Sequence, residues 1–123
     1  MSYSVSEIVS SGNTADKVGS GLLPVYATPS MIALMEKCAA NCVADGLEDG
    51  KTTVGTKVDI EHVSATPLGM KVTCKATLVE IDGRRLVFSV EASDEKGLIG
   101  KGTHERFIID VDRFMQKCKA KLD

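Results

Sequence analysis

One change of hydrophobic period constrains this chain more than any other feature. The stretch ATPSMIALMEKCAANCVADG, residues 27–46, spaces apolar side chains as a helix does, and the segments from residue 52 onward place them at every second position. Thr28 and Pro29 form a helix start, because a threonine oxygen can accept from an early amide and proline at the first helical position loses no hydrogen bond. The helix is expected to run to about Ala44 and stop at Asp45-Gly46. Met31, Leu34, Met35, Cys38 and Cys42 make one stripe, while Ile32, Ala33, Ala39 and Ala40 leave the other sides nearly as apolar. Such a helix is expected to be enclosed rather than laid on a surface. Glu36 lies near its middle. An ionised carboxylate buried without partners costs several kcal/mol or takes up a proton, so this one must be solvated, paired or used.

The alternating segments are four. Val54, Val58, Ile60 and His62 share one face of TTVGTKVDIEHVSAT, and Met70, Val72, Cys74, Ala76 and Leu78 share one face of MKVTCKATLVEI. IDGRR reads as a hairpin turn centred on Asp82-Gly83, followed by LVFSVEASD, an EKG turn and a last long strand, LIGKGTHERFIIDV. Tyr3 to Val9 read as a short first strand, and the polar loop SSGNTADKVGSG is long enough to cover something. The tail, DRFMQKCKAKLD, reads as a short helix with Phe114, Cys118 and Leu122 on one side. The class is α+β: a curved five-stranded antiparallel sheet wrapped around a long central helix, with a short C-terminal helix, in one domain spanning residues 1–123.

Composition excludes several activities. Fifteen Lys plus Arg stand against 17 Asp plus Glu, a net charge of −2 that gives no reason to expect nucleic acid or an anionic membrane as partner. The absence of Trp, with only two Tyr and three Phe, argues against a base-stacking platform. With no signal-peptide pattern at the N-terminus and no apolar run able to span a bilayer, a cytoplasmic protein is expected. Cys38, Cys42, Cys74 and Cys118 form no CxxC and have no nearby His pair, so no metal site is expected and the cysteines act as small hydrophobes.

His62 ends the apolar face of its strand, followed on the same face by Ser64 and Thr66, a row that turns polar as at a cleft mouth. A histidine satisfied at the edge of the core fits the same pattern. Gly55 interrupts that strand, permitting either close approach of the backbone or a local irregularity. Gly100, Gly102, His104 and Arg106 share a face of the last strand, where Arg106 suits an anion, the helix carboxylate or a structural ion pair. The basic tail, Arg113, Lys117, Lys119 and Lys121, suits either phosphate or a solvated helix face.

Taken in order and spacing, ATPSMIALMEKCA, TTVGTKVDIEHVSATPLGM and EIDGRRLVFSVEASDEKGLIGKGTHERF resemble the fluoroacetyl-CoA thioesterase-like branch of the hotdog-fold superfamily, from about Val18 to Phe114. The resemblance implies a homodimer of hotdog subunits, or a tetramer built from them, that hydrolyses a small acyl-CoA thioester without a separate cofactor, coenzyme A being part of the substrate. It also implies a catalytic threonine at Thr28, a glutamate at Glu36, a histidine at His62, a substrate-contacting glycine at Gly55 and an active-site arginine at Arg106. The fluoroacetyl-specific enzyme carries a phenylalanine in the lid ahead of the threonine. Here GSGLLPVYAT offers Leu22 and Leu23 on a shorter segment, so fluoroacetyl selectivity is not implied.

Glu36 then has a use, as nucleophile on the thioester carbonyl or as base for water, with His62 holding the proton. The helix N-terminus near Thr28 and the amide at Gly55 can face the developing oxyanion. The alternative is a protein that binds an acyl-CoA or related ligand without turning it over. Thr28 and Glu36 stand eight residues apart, roughly 12 Å along a helix and about 80° around it, so they cannot touch within one straight helix. If both act on one thioester, the site is expected to be completed across a two-fold axis.

Overall fold

The computed structural model describes residues 1–123. Strand β1 (Ser2–Ile8) leads through a loop carrying the single-turn helix α1 (Ala15–Val18) into helix α2 (Thr28–Ala44). Four strands follow, β2 (Lys51–His62), β3 (Lys71–Asp82), β4 (Arg85–Asp94) and β5 (Gly97–Asp110), and then helix α3 (Val111–Lys119) with a last 3₁₀ turn. The strands form one antiparallel sheet in the order β1-β3-β4-β5-β2, so β1 and β2 are its edges. The turn from β3 to β4 is the pair Gly83-Arg84, closed by Asp82 opposite Arg85, and Gly83 takes the left-handed conformation that turn requires.

The core lies between α2 and the concave face of the sheet. Met31, Leu34, Met35, Cys38, Ala39 and Val43 of α2 meet Val72, Cys74 and Ala76 of β3 and Leu86, Phe88, Val90 and Ala92 of β4, the alternating residues of both strands. Burying a large apolar side chain is worth about 1.5–3 kcal/mol, which makes this stripe the main anchor of the helix. The helix is not enclosed on every side, because Ala33, Lys37 and Asn41 are exposed and Glu36 is half-buried. The tail helix α3 buries no residue, and the stripe of Phe114, Cys118 and Leu122 lies open to solvent.

Two local departures from the sequence pattern shape the site. Gly55 pairs with Arg106 and Lys57 with Glu105, so Thr56 is an extra residue, a β-bulge that reverses which side chains face the helix. Val54 therefore leaves the face of Val58, Ile60 and His62, and Thr53 and Gly55 take the concave side instead. At the helix start Ala27, not Thr28, is the N-cap residue, and no side chain caps the helix. The Thr28 hydroxyl bonds elsewhere.

The loop before α2 is tied down along its length. Ala15 N–H donates to Val25 O at 2.8 Å, Ala27 N–H to Asn13 O at 3.0 Å, and Tyr26 N–H to Thr66 O at 2.9 Å. The buried Tyr26 hydroxyl donates to the Glu7 carboxylate, fastening the loop to β1. No helix is long and apolar enough to cross a membrane.

Candidate active site

The first cluster stands at the N-terminus of α2. Thr28 Oγ1 lies 2.7 Å from His62 Nδ1, joining the helix start to the end of β2. The other ring nitrogen, His62 Nε2, is buried and has no hydrogen-bond partner. Burial pushes the His62 imidazole below its ordinary pKa, so the ring is neutral around pH 7. It opens on a concavity of about 300 Å³ lined on one side by Ala15, Ser20 and Val25 of the loop and on the other by Val63, Ser64 and Ala65. Ser64 thus stands at a cleft mouth, whereas Thr66 is fully buried and donates to Asp94 Oδ2 at 2.8 Å, a structural role. Leu22 and Leu23 do not reach this cleft within the chain. They sit at the loop tip with 94% and 64% of their surface exposed, and Val25 occupies the position nearer the histidine.

The second cluster stands at the middle of α2, under the bulge. Glu36 Oε2 is 3.6 Å from Arg106 Nη1, with the arginine side chain 9% and the glutamate 43% exposed. The guanidinium is held on all sides: Nε donates to Thr53 Oγ1 at 2.8 Å, Nη2 to Thr53 O at 2.9 Å, and Nη1 lies 3.2 Å from His104 Nε2. His104 Nδ1 is 2.8 Å from Lys57 O. A carbonyl only accepts, so Nδ1 carries the proton and Nε2 is left as an acceptor for Arg106. Burial lowers the His104 pKa, opposed by its bond to the Lys57 carbonyl and reinforced by the arginine charge, which keeps that tautomer neutral. Of the three roles open to Arg106, the structure assigns the pairing with the helix carboxylate. Gly55 faces the same group, and a Cβ built there would lie 2.7 Å from Glu36 Oε2 and 3.3 Å from Arg106 Nη1. The missing side chain makes room for the carboxylate.

Residues 9–112 match the family described as FlK, fluoroacetyl-CoA-specific thioesterase. The chain belongs to this family. It is 41% identical over 97 residues to the fluoroacetyl-CoA thioesterase of Streptantibioticus cattleyicolor, a match covering 79% of this chain and 70% of that protein. The crystal structure of a point mutant of the fluoroacetyl-CoA-specific thioesterase FlK, in complex with fluoroacetate and CoA, superposes with a TM-score of 0.88 at 33% identity over 93% of this chain and 96% of that one. A hot-dog-like protein from Thermanaerovibrio acidaminovorans shares the fold, with a TM-score of 0.91 at 22% identity over 100% of this chain and 91% of that one. The protein is a thioesterase with a hotdog fold, and the alternative of a binding protein without turnover is set aside.

Within this thioesterase the expected residues form two groups rather than one. Thr28 pairs with His62, and Glu36 gathers with Gly55 and Arg106, about two helical turns further along α2. The chain alone does not bring Thr28 and His62 to Glu36. Thr53 and His104 were not singled out by the sequence, yet both hold the arginine. His104 shares the face of Arg106 in GKGTHERF and was legible to that extent, whereas Thr53 reaches the concave face only because of the bulge. No three His, Cys, Asp or Glu side chains converge as a metal site would need.

Proposed function

We propose that this thioesterase hydrolyses a small acyl-CoA thioester to the free acid and coenzyme A, at a site shared between two copies of the chain. The observation that carries this reading is Glu36: a carboxylate kept half-open, steered by a buried guanidinium, and set against bare backbone where a substrate can approach. As a base, Glu36 takes a proton from water, the hydroxide adds to the thioester carbonyl, and the tetrahedral oxyanion collapses by breaking the carbon–sulfur bond, the proton passing from Glu36 to the departing thiolate. As a nucleophile, its oxygen adds to the same carbon, the thiolate leaves, and water cleaves the resulting anhydride. In both routes the amides at the start of α2 and the His62 imidazole that lines the cleft are the groups we assign to the oxyanion or the proton. Thr28 orients that ring through Nδ1.

The edge of the sheet supports sharing between copies. Strand β2 is 12 residues long and has no neighbour on its outer side, a template for pairing with a second copy. Antiparallel pairing of two β2 strands about an axis near Val58 and Asp59 sets His62 of one copy beside Gly55 of the other, and so joins Thr28 and His62 to the second copy's Glu36 and Arg106. A homodimer is the smallest assembly that does this, and two dimers can form a tetramer without altering it. The cytoplasm, where acyl-CoA thioesters are made and used, is the setting that suits this reaction.

The test is thiol release from short acyl-CoAs by the wild-type protein and by Glu36→Gln, which keeps shape but removes charge and basicity. Turnover is expected to fall by at least about a hundredfold in the variant with the fold intact. Near-wild-type turnover in Glu36→Gln removes Glu36 from the chemistry, and no release from any acyl-CoA removes the substrate class.

A further inference from the structure

At the end of the sheet beyond Arg106 there is a second concavity, of about 200 Å³, that the hydrolytic chemistry does not use. Lys51, Arg84, Arg113 and Lys117 line it, together with Phe114 and one carboxylate, Asp110. None of the four cations takes part in an ion pair, and Asp110 is occupied in capping α3, its Oδ1 accepting from Arg113 N–H at 3.1 Å. In a chain of net charge −2, four cations gathered around this single carboxylate leave a local surplus of positive charge.

The cluster is built by the fold rather than scattered on a surface. Val111 N–H donates to Gly50 O at 3.0 Å, fixing the start of α3 beside Lys51, and Ile108 N–H donates to Arg84 O at 2.9 Å, fixing the β3–β4 turn on the other side. Arg113 and Lys117 are one helical turn apart on α3, and Phe114, next to Arg113 in the same helix, is 40% exposed. Guanidinium and ammonium groups of this kind suit phosphate, and an open aromatic ring suits the face of a base.

Its distance from the site is the second observation. Gly55 lies opposite Arg106 and Lys51 opposite Asp110, four residues further along both strands, which is about 13 Å. The pantetheine arm of coenzyme A has about 13 bonds from sulfur to the first phosphorus, against about 12 backbone bonds in four extended residues. The arm of a thioester held at Glu36 and Arg106 is therefore long enough to place its phosphates at this end of the sheet.

We infer that the concavity formed by Lys51, Arg84, Arg113, Lys117 and Phe114 is the subsite for the adenosine 3′-phosphate 5′-diphosphate portion of the substrate. The inference rests on the acyl-CoA reading above. The cations meet the 3′-phosphate and the diphosphate, and Phe114 offers its face to adenine.

The test compares the wild type with the double variant Arg113→Ala/Lys117→Ala, both on exposed α3. Four probes are used: the short acyl-CoA cleaved fastest, its 3′-dephospho form, the same acyl group on pantetheine, and adenosine 3′,5′-bisphosphate as a ligand in calorimetry. In the variant, KM for the acyl-CoA is expected to rise by about tenfold or more with kcat preserved, the 3′-dephospho substrate to lose less, and the acyl-pantetheine kinetics to stay unchanged. Adenosine 3′,5′-bisphosphate should bind the wild type and bind the variant at least about tenfold more weakly. Equal losses on acyl-CoA and acyl-pantetheine, an unchanged KM for acyl-CoA, or bisphosphate binding indifferent to the variant each overturn the subsite. If no thioester is cleaved but bisphosphate binding still falls in the variant, the subsite stands and the hydrolytic reading fails.

Discussion

Replacing Gly55 by alanine adds one methyl group where the Glu36 carboxylate now sits. The new Cβ would stand 2.7 Å from Glu36 Oε2, 3.2 Å from His104 Cε1 and 3.3 Å from Arg106 Nη1, where ordinary contact begins at 3.4 Å. Glu36 is the flexible group of the three and must retreat by about 0.7 Å, while the imidazole and the guanidinium give by a tenth or two. The fold tolerates this, because Gly55 does not use a left-handed backbone conformation and alanine there reduces the freedom of the unfolded chain. The melting temperature should thus stay within about 4 °C of wild type, the equivalent of roughly 1 kcal/mol. Chemistry is less tolerant, since misplacing a reacting group by about 1 Å can cost two orders of magnitude. We expect kcat/KM for a short acyl-CoA to fall between about 10- and 100-fold, read by thiol release, with the melting curve as control. A folded Gly55→Ala protein within about threefold of wild type would refute the claim that this glycine places the carboxylate for reaction.

His104→Phe removes both the acceptor for Arg106 and the donor to Lys57 O; kcat should fall about tenfold with little change in KM, and His104→Gln, which can still accept and donate, should restore most of it, whereas equal losses in the two variants would show that the ring acts by packing alone. Burial holds His62 and His104 below the ordinary imidazole value of about 6.5, so the unfolded chain takes up protons before the folded one as pH falls. Stability should accordingly be flat above neutrality and drop as pH falls through that value towards the lower folded ones, and a melting temperature that rises between about pH 7 and pH 5.5 would contradict the sign. With Leu22 and Leu23 exposed at the loop tip in place of an aromatic lid residue, kcat/KM for fluoroacetyl-CoA over acetyl-CoA, corrected for the uncatalysed rates, should differ by no more than about tenfold. A larger preference would assign the gating to another residue.

Period was enough to read the central helix, its end near Ala44 and the strands from β3 to β5, because one buried face imposes strict alternation and one buried stripe imposes helical spacing. It cannot show the bulge at Thr56, since an inserted residue looks like any other in a polar stretch, and so strict alternation places Val54 on the wrong face and leaves Thr53 unmarked. Helix α1 is a single turn held by backbone bonds to Val25 and Leu23, contacts remote enough in sequence to leave no periodic trace. The enclosure expected for α2 reflected its composition correctly but not its surroundings, as Ala33 faces solvent in the single chain. Thr28 and His62 were both legible as candidates. Their pairing was not, because the hydroxyl could equally have capped its own helix.

The most direct measurement of the shared site is complementation between two inactive proteins. Thr28→Ala and Glu36→Gln subunits are mixed under conditions that allow exchange, the heterodimer is isolated and verified by mass, and thiol release from a short acyl-CoA is measured. If each site takes Thr28 and His62 from one copy and Glu36 and Arg106 from the other, one of the two sites in the heterodimer carries both substitutions and the other carries neither, so about half of the wild-type activity per dimer returns. A verified heterodimer with no regained activity would place the whole site within one chain and contradict the account.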